Sequence, residues 1–324
     1  MVSSTAHVKI GVSCYRARHS KCEWQLFLAA RDCGVCFGRA QPGPTRQFVN
    51  NPEPIALQSQ PILEVVGLHK AFGEQVVLRG IDLRIPQGQT TVIIGGSGSG
   101  KSVLIKHLVA LLRPDRGEVR FRGRDLFGMG DHELLATRRH FGMLFQNSAL
   151  FDSMNVYENV AFPLREHQRN SPSQERELVM AALTELKLAH AVAKFPAELS
   201  GGMRKRVALA RATILQPEIL IYDEPTTGLD PMMIKQVDDM IAETQDRLKV
   251  TSVVISHDMA STFRIAHRVA MLYLGQIIEE GTPTEFRNST NQIVRDFIFV
   301  SGTGPLRADG QAPAGPARSA GAAA

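Results

Sequence analysis

Eight consecutive residues, Gly95, Gly96, Ser97, Gly98, Ser99, Gly100, Lys101 and Ser102, combine what is needed to hold a polyphosphate. Glycines let the backbone curl until successive N–H groups converge on an anion. A helix starting where the loop ends adds its positive pole. Lys101 brings a point charge to the outer phosphates, and Ser102 brings a hydroxyl for Mg2+. The pattern is GxxxxGKS, and it stands where a phosphate-binding loop must stand. An apolar β-branched run, Thr91-Val92-Ile93-Ile94, precedes it, and a helix is expected over residues 103–112.

Two carboxylates supply the complementary chemistry. Asp223 and Glu224 close a second apolar run, Ile219-Leu220-Ile221-Tyr222. Neighbouring side chains of an extended segment diverge, so Asp223 can hold Mg2+ through water while Glu224 faces an attacking water as general base. A third run, Ser252-Val253-Val254-Ile255, ends at Ser256 and His257.

These groups need a frame. Apolar strands ending in reactive side chains and alternating with helices predict an α/β fold, with the site at the carboxyl edge of its sheet. Short strands are expected at 62–66, 75–78 and 81–85 around a turn at Gly73, and a hairpin at 271–274 and 277–279 joined by Gly275-Gln276. Ser171-Pro172-Ser173-Gln174 reads as N-cap, proline and capping glutamine of a helix whose stripe is Leu178, Ala182 and Leu186. A further helix, 231–248, carries Ile234, Val237 and Ile241.

The phosphate loop and the acids indicate a nucleotide hydrolase but not its kind. Leu199-Ser200-Gly201-Gly202-Met203 discriminates. It resembles the signature of the ABC (ATP-binding cassette) ATPases, normally Leu-Ser-Gly-Gly-Gln, and the likeness covers about residues 61–285. The resemblance implies a P-loop NTPase of the ABC type: a mixed central sheet, an antiparallel β subdomain and a helical signature subdomain at about 145–205. It implies ATP and Mg2+ as cofactors, with Ser102, Gln146 and Asp223 around the metal. Phe72 matches the aromatic that stacks on adenine, and Gln146 the glutamine that senses Mg2+ and the lytic water. Gly228-Leu229-Asp230 matches the loop coupling two sites, and His257 the switch histidine at the γ-phosphate. Glu224, His257, Gln146 and Lys101 are then the catalytic set. Ser200, Gly201 and Gly202 precede a helix and form a second anion cradle. In the family this cradle clamps ATP bound to a second copy.

Several phrases narrow the resemblance. Gly142-Met143-Leu144-Phe145-Gln146, Ala149-Leu150-Phe151-Asp152-Ser153-Met154 and Met203-Arg204-Lys205-Arg206 look like the ATPase of Mla-type phospholipid transport systems, relatives of the toluene-tolerance ATPases. That likeness implies a dimer on the cytoplasmic side of the inner membrane, held by a multi-pass permease with an MCE-domain lipid-binding protein. Such a system moves phospholipid between inner and outer membranes. Met203 should preserve the backbone cradle while losing an amide. Other importer-like systems, for organic solvents or amino acids, are the alternatives within transport. Soluble ABC ATPases of DNA repair or translation need a long coiled-coil insertion or a second cassette, and neither is present.

Composition agrees. The formal charge is +5, but residues 1–60 hold seven Lys/Arg against three Asp/Glu, so a nucleic-acid partner is not expected. All four cysteines, Cys14, Cys22, Cys33 and Cys36, lie in that stretch, and the lone Cys33-Gly34-Val35-Cys36 pair has no ligand partners at known spacing. Residues 1–60 read as a poorly structured leader and linker, 61–300 as the ATPase domain, and 301–324 as a low-complexity tail. No run approaches the roughly 18 apolar residues of a spanning helix, so membrane association is expected through partners.

Overall fold

A computed structural model describes residues 61–301. The expectations for the leader, its cysteines and the tail beyond 301 lie outside the described residues.

Two sheets organise the chain. In the smaller, β1 (Pro61–Phe72) pairs antiparallel with β2 (Gln75–Pro86) and with β4 (Arg116–Phe121), which carries the two-residue β5 (Arg124–Asp125). The segments 75–78 and 81–85 are one strand, not two. The partners of β1 jump from Ile81 to Arg79, leaving Gly80 at φ +82 as a bulge that bends the strand without ending it.

The central sheet contains β3 (Thr90–Ile94), β6 (Phe141–Leu144), β7 (Ile219–Asp223), β8 (Thr251–Ser256), β9 (Arg268–Tyr273) and β10 (Gln276–Gly281). Their spatial order is β10-β9-β3-β8-β7-β6, parallel throughout except for the antiparallel edge strand β10. The continuous apolar runs become the strands covered on both faces: all of β3 and β8 is buried, as is β7 up to Tyr222. The β9–β10 hairpin forms as expected, one residue earlier at its turn. Leu274 and Gly275 occupy the corner with φ +46 and +80, the left-handed pair that matches strand twist.

The helices are α1 (Lys101–Leu108), α2 (Asp131–Arg138), α3 (Val156–His167), α4 (Pro172–Glu185), α5 (Gly201–Thr213), α6 (Pro231–Leu248), α7 (Met259–Ile265), α8 (Pro283–Arg287) and α9 (Gln292–Val300). α1 differs from the expected 103–112. It starts at Lys101, directly out of the glycine loop, and the chain leaves helical geometry where Ala110 takes φ +54. α4 opens with the expected capping box, Ser171 and Gln174 exchanging side-chain and backbone bonds. Its buried stripe is Val179 and Leu183, however, while Leu178 is exposed and Ala182 and Leu186 are half-buried. α5 carries the helical region to Thr213, past the boundary near 205.

Three apolar clusters hold these layers. One joins β1, β2 and β4 to α1 and one face of the central sheet; a second packs α6, α7 and α9 on the other face. The third is internal to α3, α4 and α5. Among the described residues no helix is long and apolar enough to cross a membrane.

His107, fully buried on α1, contacts the Val103 carbonyl through Nδ1 and leaves Nε2 without a partner. Burial pushes its pKa below the ordinary histidine value. The unfolded chain therefore binds a proton that the folded chain resists. Stability is present in full above the ordinary value, about 6.5, and falls as pH drops toward the folded pKa. Thermal melting from about pH 7 to about pH 5 should show a smaller loss of Tm in His107→Gln than in the wild type. Equal slopes would remove His107 as a cause.

Candidate nucleotide site

Strand register places the chemistry. Ile94 pairs with Ser256, Asp223 with Ile255 and Leu144 with Tyr222. The loops leaving β3, β8, β7 and β6 therefore emerge side by side at the carboxyl edge, bringing Gly95, His257, Glu224 and Phe145 into one row. A cavity of about 570 Å3 opens there, lined by Ser97, Gly98, Gly100, Lys101, Ser102, Glu224 and His257 on the sequence-predicted side. Gln75, Val77 and Val103 complete it, and sequence reasoning missed them. The available signal was the position of Gln75 opposite Phe72 in the β1–β2 hairpin.

The phosphate loop has little freedom. A Cβ on Gly95 would lie 2.3 Å from the Leu272 carbonyl oxygen, and one on Gly100 2.8 Å from Leu78 Cδ2. Gly98 and Gly100 take φ +77 and +106, so the loop passes through the left-handed region twice before α1. Ser99 Oγ is buried with no partner, and the N-cap Gly100 offers no side chain to the first-turn N–H groups. Unsatisfied donors around a glycine nest fit a polyphosphate.

Lys101 is buried and donates to the Gly95 and Gly96 carbonyls at 2.8 and 2.9 Å. Burial lowers its pKa, and the charges of Glu224 and Asp223 act against that shift. Asp223 is half-buried; burial raises its pKa, and the neighbouring Glu224 raises it further. Lys101 and Lys106 offset part of the charge on Asp223, yet its pKa stays raised, so the two adjacent carboxylates make a donor set short of positive charge. Ser102, Lys101 and Glu224 line the cavity, and Asp223, though not in the lining, ends β7 immediately before Glu224; the set suits a hard divalent cation such as Mg2+.

Glu224 is held on several sides. Its backbone sits at φ +46, and its N–H donates to the Ile255 carbonyl at 3.1 Å. Oε2 accepts from Thr227 Oγ1 at 2.9 Å and lies 3.6 Å from His257 Nδ1. A non-glycine residue in the left-handed region costs of order 1–3 kcal/mol and persists only where the surroundings over-determine it.

Other predicted residues stand apart from this cavity. Gln146 is exposed in the turn after β6, on the same edge but not in the lining. Phe72 is half-exposed at the end of β1, with the Lys70 ammonium 5.6 Å from its ring centre. Asp230 caps α6, accepting from the Met232 and Met233 N–H groups at 3.0 Å each. Ser200 caps α5, accepting from Met203 N at 3.3 Å. The signature cradle, Ser200, Gly201 and Gly202, contributes nothing to the lining of its own chain's phosphate cavity.

Comparison with known proteins agrees with this fold. The family model described as ABC transporter matches residues 78–227. The "Probable ribonucleotide transport ATP-binding protein mkl" of Mycobacterium leprae is 39% identical over 75% of this chain and 70% of its own length. The "Intermembrane phospholipid transport system ATP-binding protein MlaF" of Haemophilus influenzae is 36% identical over 77% of this chain and 94% of its own. Among solved structures, an ATP-binding cassette determined as a dimer in a post-hydrolysis state, bound to ADP and Pi, superposes with a TM-score of 0.62. It is 28% identical, over 68% of this chain and 98% of that one. With its phosphate loop, paired acids and signature helix on a mixed α/β frame, this chain belongs to the ABC transporter family as an ATP-binding, ATP-hydrolysing subunit.

Proposed function

We propose that this chain energises a transporter that moves phospholipid between inner and outer membranes. In this reading it works as a dimer on the cytoplasmic side of the inner membrane, beneath a multi-pass permease and with an MCE-domain lipid-binding protein. Support for the lipid comes chiefly from the extent of one likeness: the match to the phospholipid-system protein runs over 94% of that protein's length. The chemistry rests on the convergence of Lys101, Asp223, Glu224 and His257 at one sheet edge.

Each residue has a part. The glycine loop and the first turn of α1 bind the phosphates, and Lys101 moves from the loop carbonyls to the outer phosphates as they enter. Ser102, Asp223 and Gln146 would hold Mg2+, which would supply charge neutralisation for the phosphates when bound. Glu224 takes a proton from the attacking water, and His257 orients the γ-phosphate against it. Phe72 stacks on the adenine. Ser200, Gly201 and Gly202 at the start of α5 cover the γ-phosphate held by the partner copy, with Asp230 at the joint between the two. Their place outside their own chain's cavity supports this composite arrangement.

A second reading, ribonucleotide transport, is favoured by the name of the 39% identical mycobacterial relative. Mass spectrometry of the complex captured with this subunit from detergent-solubilised membranes separates the two. One permease, an MCE-domain protein and bound phospholipid are the expected outcome. A permease without an MCE partner would keep the ATPase and discard the lipid. Capture of no membrane protein would discard the transport reading itself.

A further inference from the structure

Lys205 lies one turn into α5, and its ammonium donates to the Pro225 carbonyl, in the residue that follows Glu224. The side chain is half-buried, and burial alone lowers its pKa, with no carboxylate acting to restore it. A lysine kept in that setting for one carbonyl is unusual, because desolvating an ammonium costs more than a single neutral acceptor returns.

The carbonyl it holds is strategically placed. Pro225 is buried and opens the turn in which the Thr227 N–H reaches back to the Glu224 carbonyl and Thr227 Oγ1 to the Glu224 carboxylate. Lys205 thus fixes the far side of the turn that keeps Glu224 at φ +46. A second contact brackets the same segment. A Cβ built on Gly202 would lie 3.4 Å from Met233 Cε, so the first turn of α6 packs over the first turn of α5. The stretch from Glu224 to Met233 is therefore gripped at both ends by the helix whose amino end is the signature.

We propose that Lys205 is a positioning residue through which each chain's signature helix sets that chain's own general base, so that capture of the partner's nucleotide is transmitted to Glu224. The inference rests on the dimeric reading above. When Ser200, Gly201 and Gly202 close on the partner's γ-phosphate, α5 shifts as a unit. Lys205 then draws the Pro225 carbonyl with it and aligns the turn carrying Glu224.

The test uses the full chain with Lys205→Met, which keeps the length of the stem without the donor, and Lys205→Arg, which keeps a cation. ATP affinity is read with a fluorescent ATP analogue, turnover by phosphate release, and dimer formation by gel filtration with ATP in a Glu224→Gln background. Lys205→Met should lower kcat by about tenfold to a hundredfold, as expected when a reacting group is displaced by about 1 Å. Its ATP affinity should change by less than about twofold, because Lys205 touches no part of the phosphate cradle. Lys205→Arg should recover most of the rate, which a requirement for packing alone would not give.

Unchanged kcat in Lys205→Met would overturn the proposal. So would a loss confined to ATP affinity, or loss of the ATP-dependent dimer on adding Lys205→Met to Glu224→Gln. If Glu224→Gln alone forms no dimer with ATP, the dimeric reading fails first, and that result is distinct from the others. Should Lys205→Met melt at a much lower temperature, Lys205→Gln serves in its place, judged by kcat per bound nucleotide.

Discussion

Glu224→Gln is expected to lower steady-state ATP turnover by about 10²–10⁴-fold, the range for loss of a positioned general base. ATP binding should remain close to wild type, because glutamine keeps the size of Glu224 in the cavity lining and leaves the glycine loop and Lys101 untouched. The amide can still accept from Thr227 Oγ1, so the local turn survives. What disappears is the capacity to take a proton from water. ATP should then accumulate uncleaved, and gel filtration should show a dimer that persists in ATP and dissociates in ADP. Turnover within about twofold of wild type in purified Glu224→Gln would assign the proton transfer elsewhere, since no intact base would have been removed.

Lys101→Ala should instead act on binding. Hydrogen bonds to charged groups contribute about 1.5–3 kcal/mol, so ATP affinity should fall by roughly tenfold to a hundredfold. Hydrolysis falls with it, because the outer phosphates lose the cation that orients them. The substitution has a second consequence: the Gly95 and Gly96 carbonyls lose the ammonium that ties the loop to itself. Asp223 would also lose the larger of the two cationic influences that oppose its raised pKa, leaving only Lys106 against burial and Glu224. Isothermal titration with ATP at fixed Mg2+ reads the effect. Affinity equal to wild type would show that the backbone nest carries the binding alone.

Much of this was legible before the structure. The loop at 95–102, the acids at 223–224 and the three buried strands follow from short-range patterns, because glycine conformations and apolar runs are local properties. Nonlocal relations were not legible. That β9 runs parallel to β3, beyond pairing with its own hairpin partner, depends on crossovers that no window of residues displays. β6 is four residues long, too short to show a period, and β4–β5 and α2 lie between stronger signals. The stripe on α4 illustrates the same limit. Apolar side chains occur at every position from 178 to 183 and at 186, enough for two overlapping faces, and only packing against α3 and α5 selects Val179 and Leu183. The site shows a parallel division. Residue types announced Lys101 and Glu224, and the family resemblance His257, whereas the contact from Lys205 to Pro225 joins positions 20 apart whose types announce nothing.

The exclusion of Ser200, Gly201 and Gly202 from their own chain's cavity has a genetic corollary under the dimeric reading. A copy damaged only in the signature would still fold, bind ATP and pair with an undamaged copy, then deprive that healthy neighbour of its lid. Such an allele would interfere with the wild type when both are expressed. One damaged at Lys101 would bind ATP poorly, compete less well for partners, and behave closer to a recessive loss.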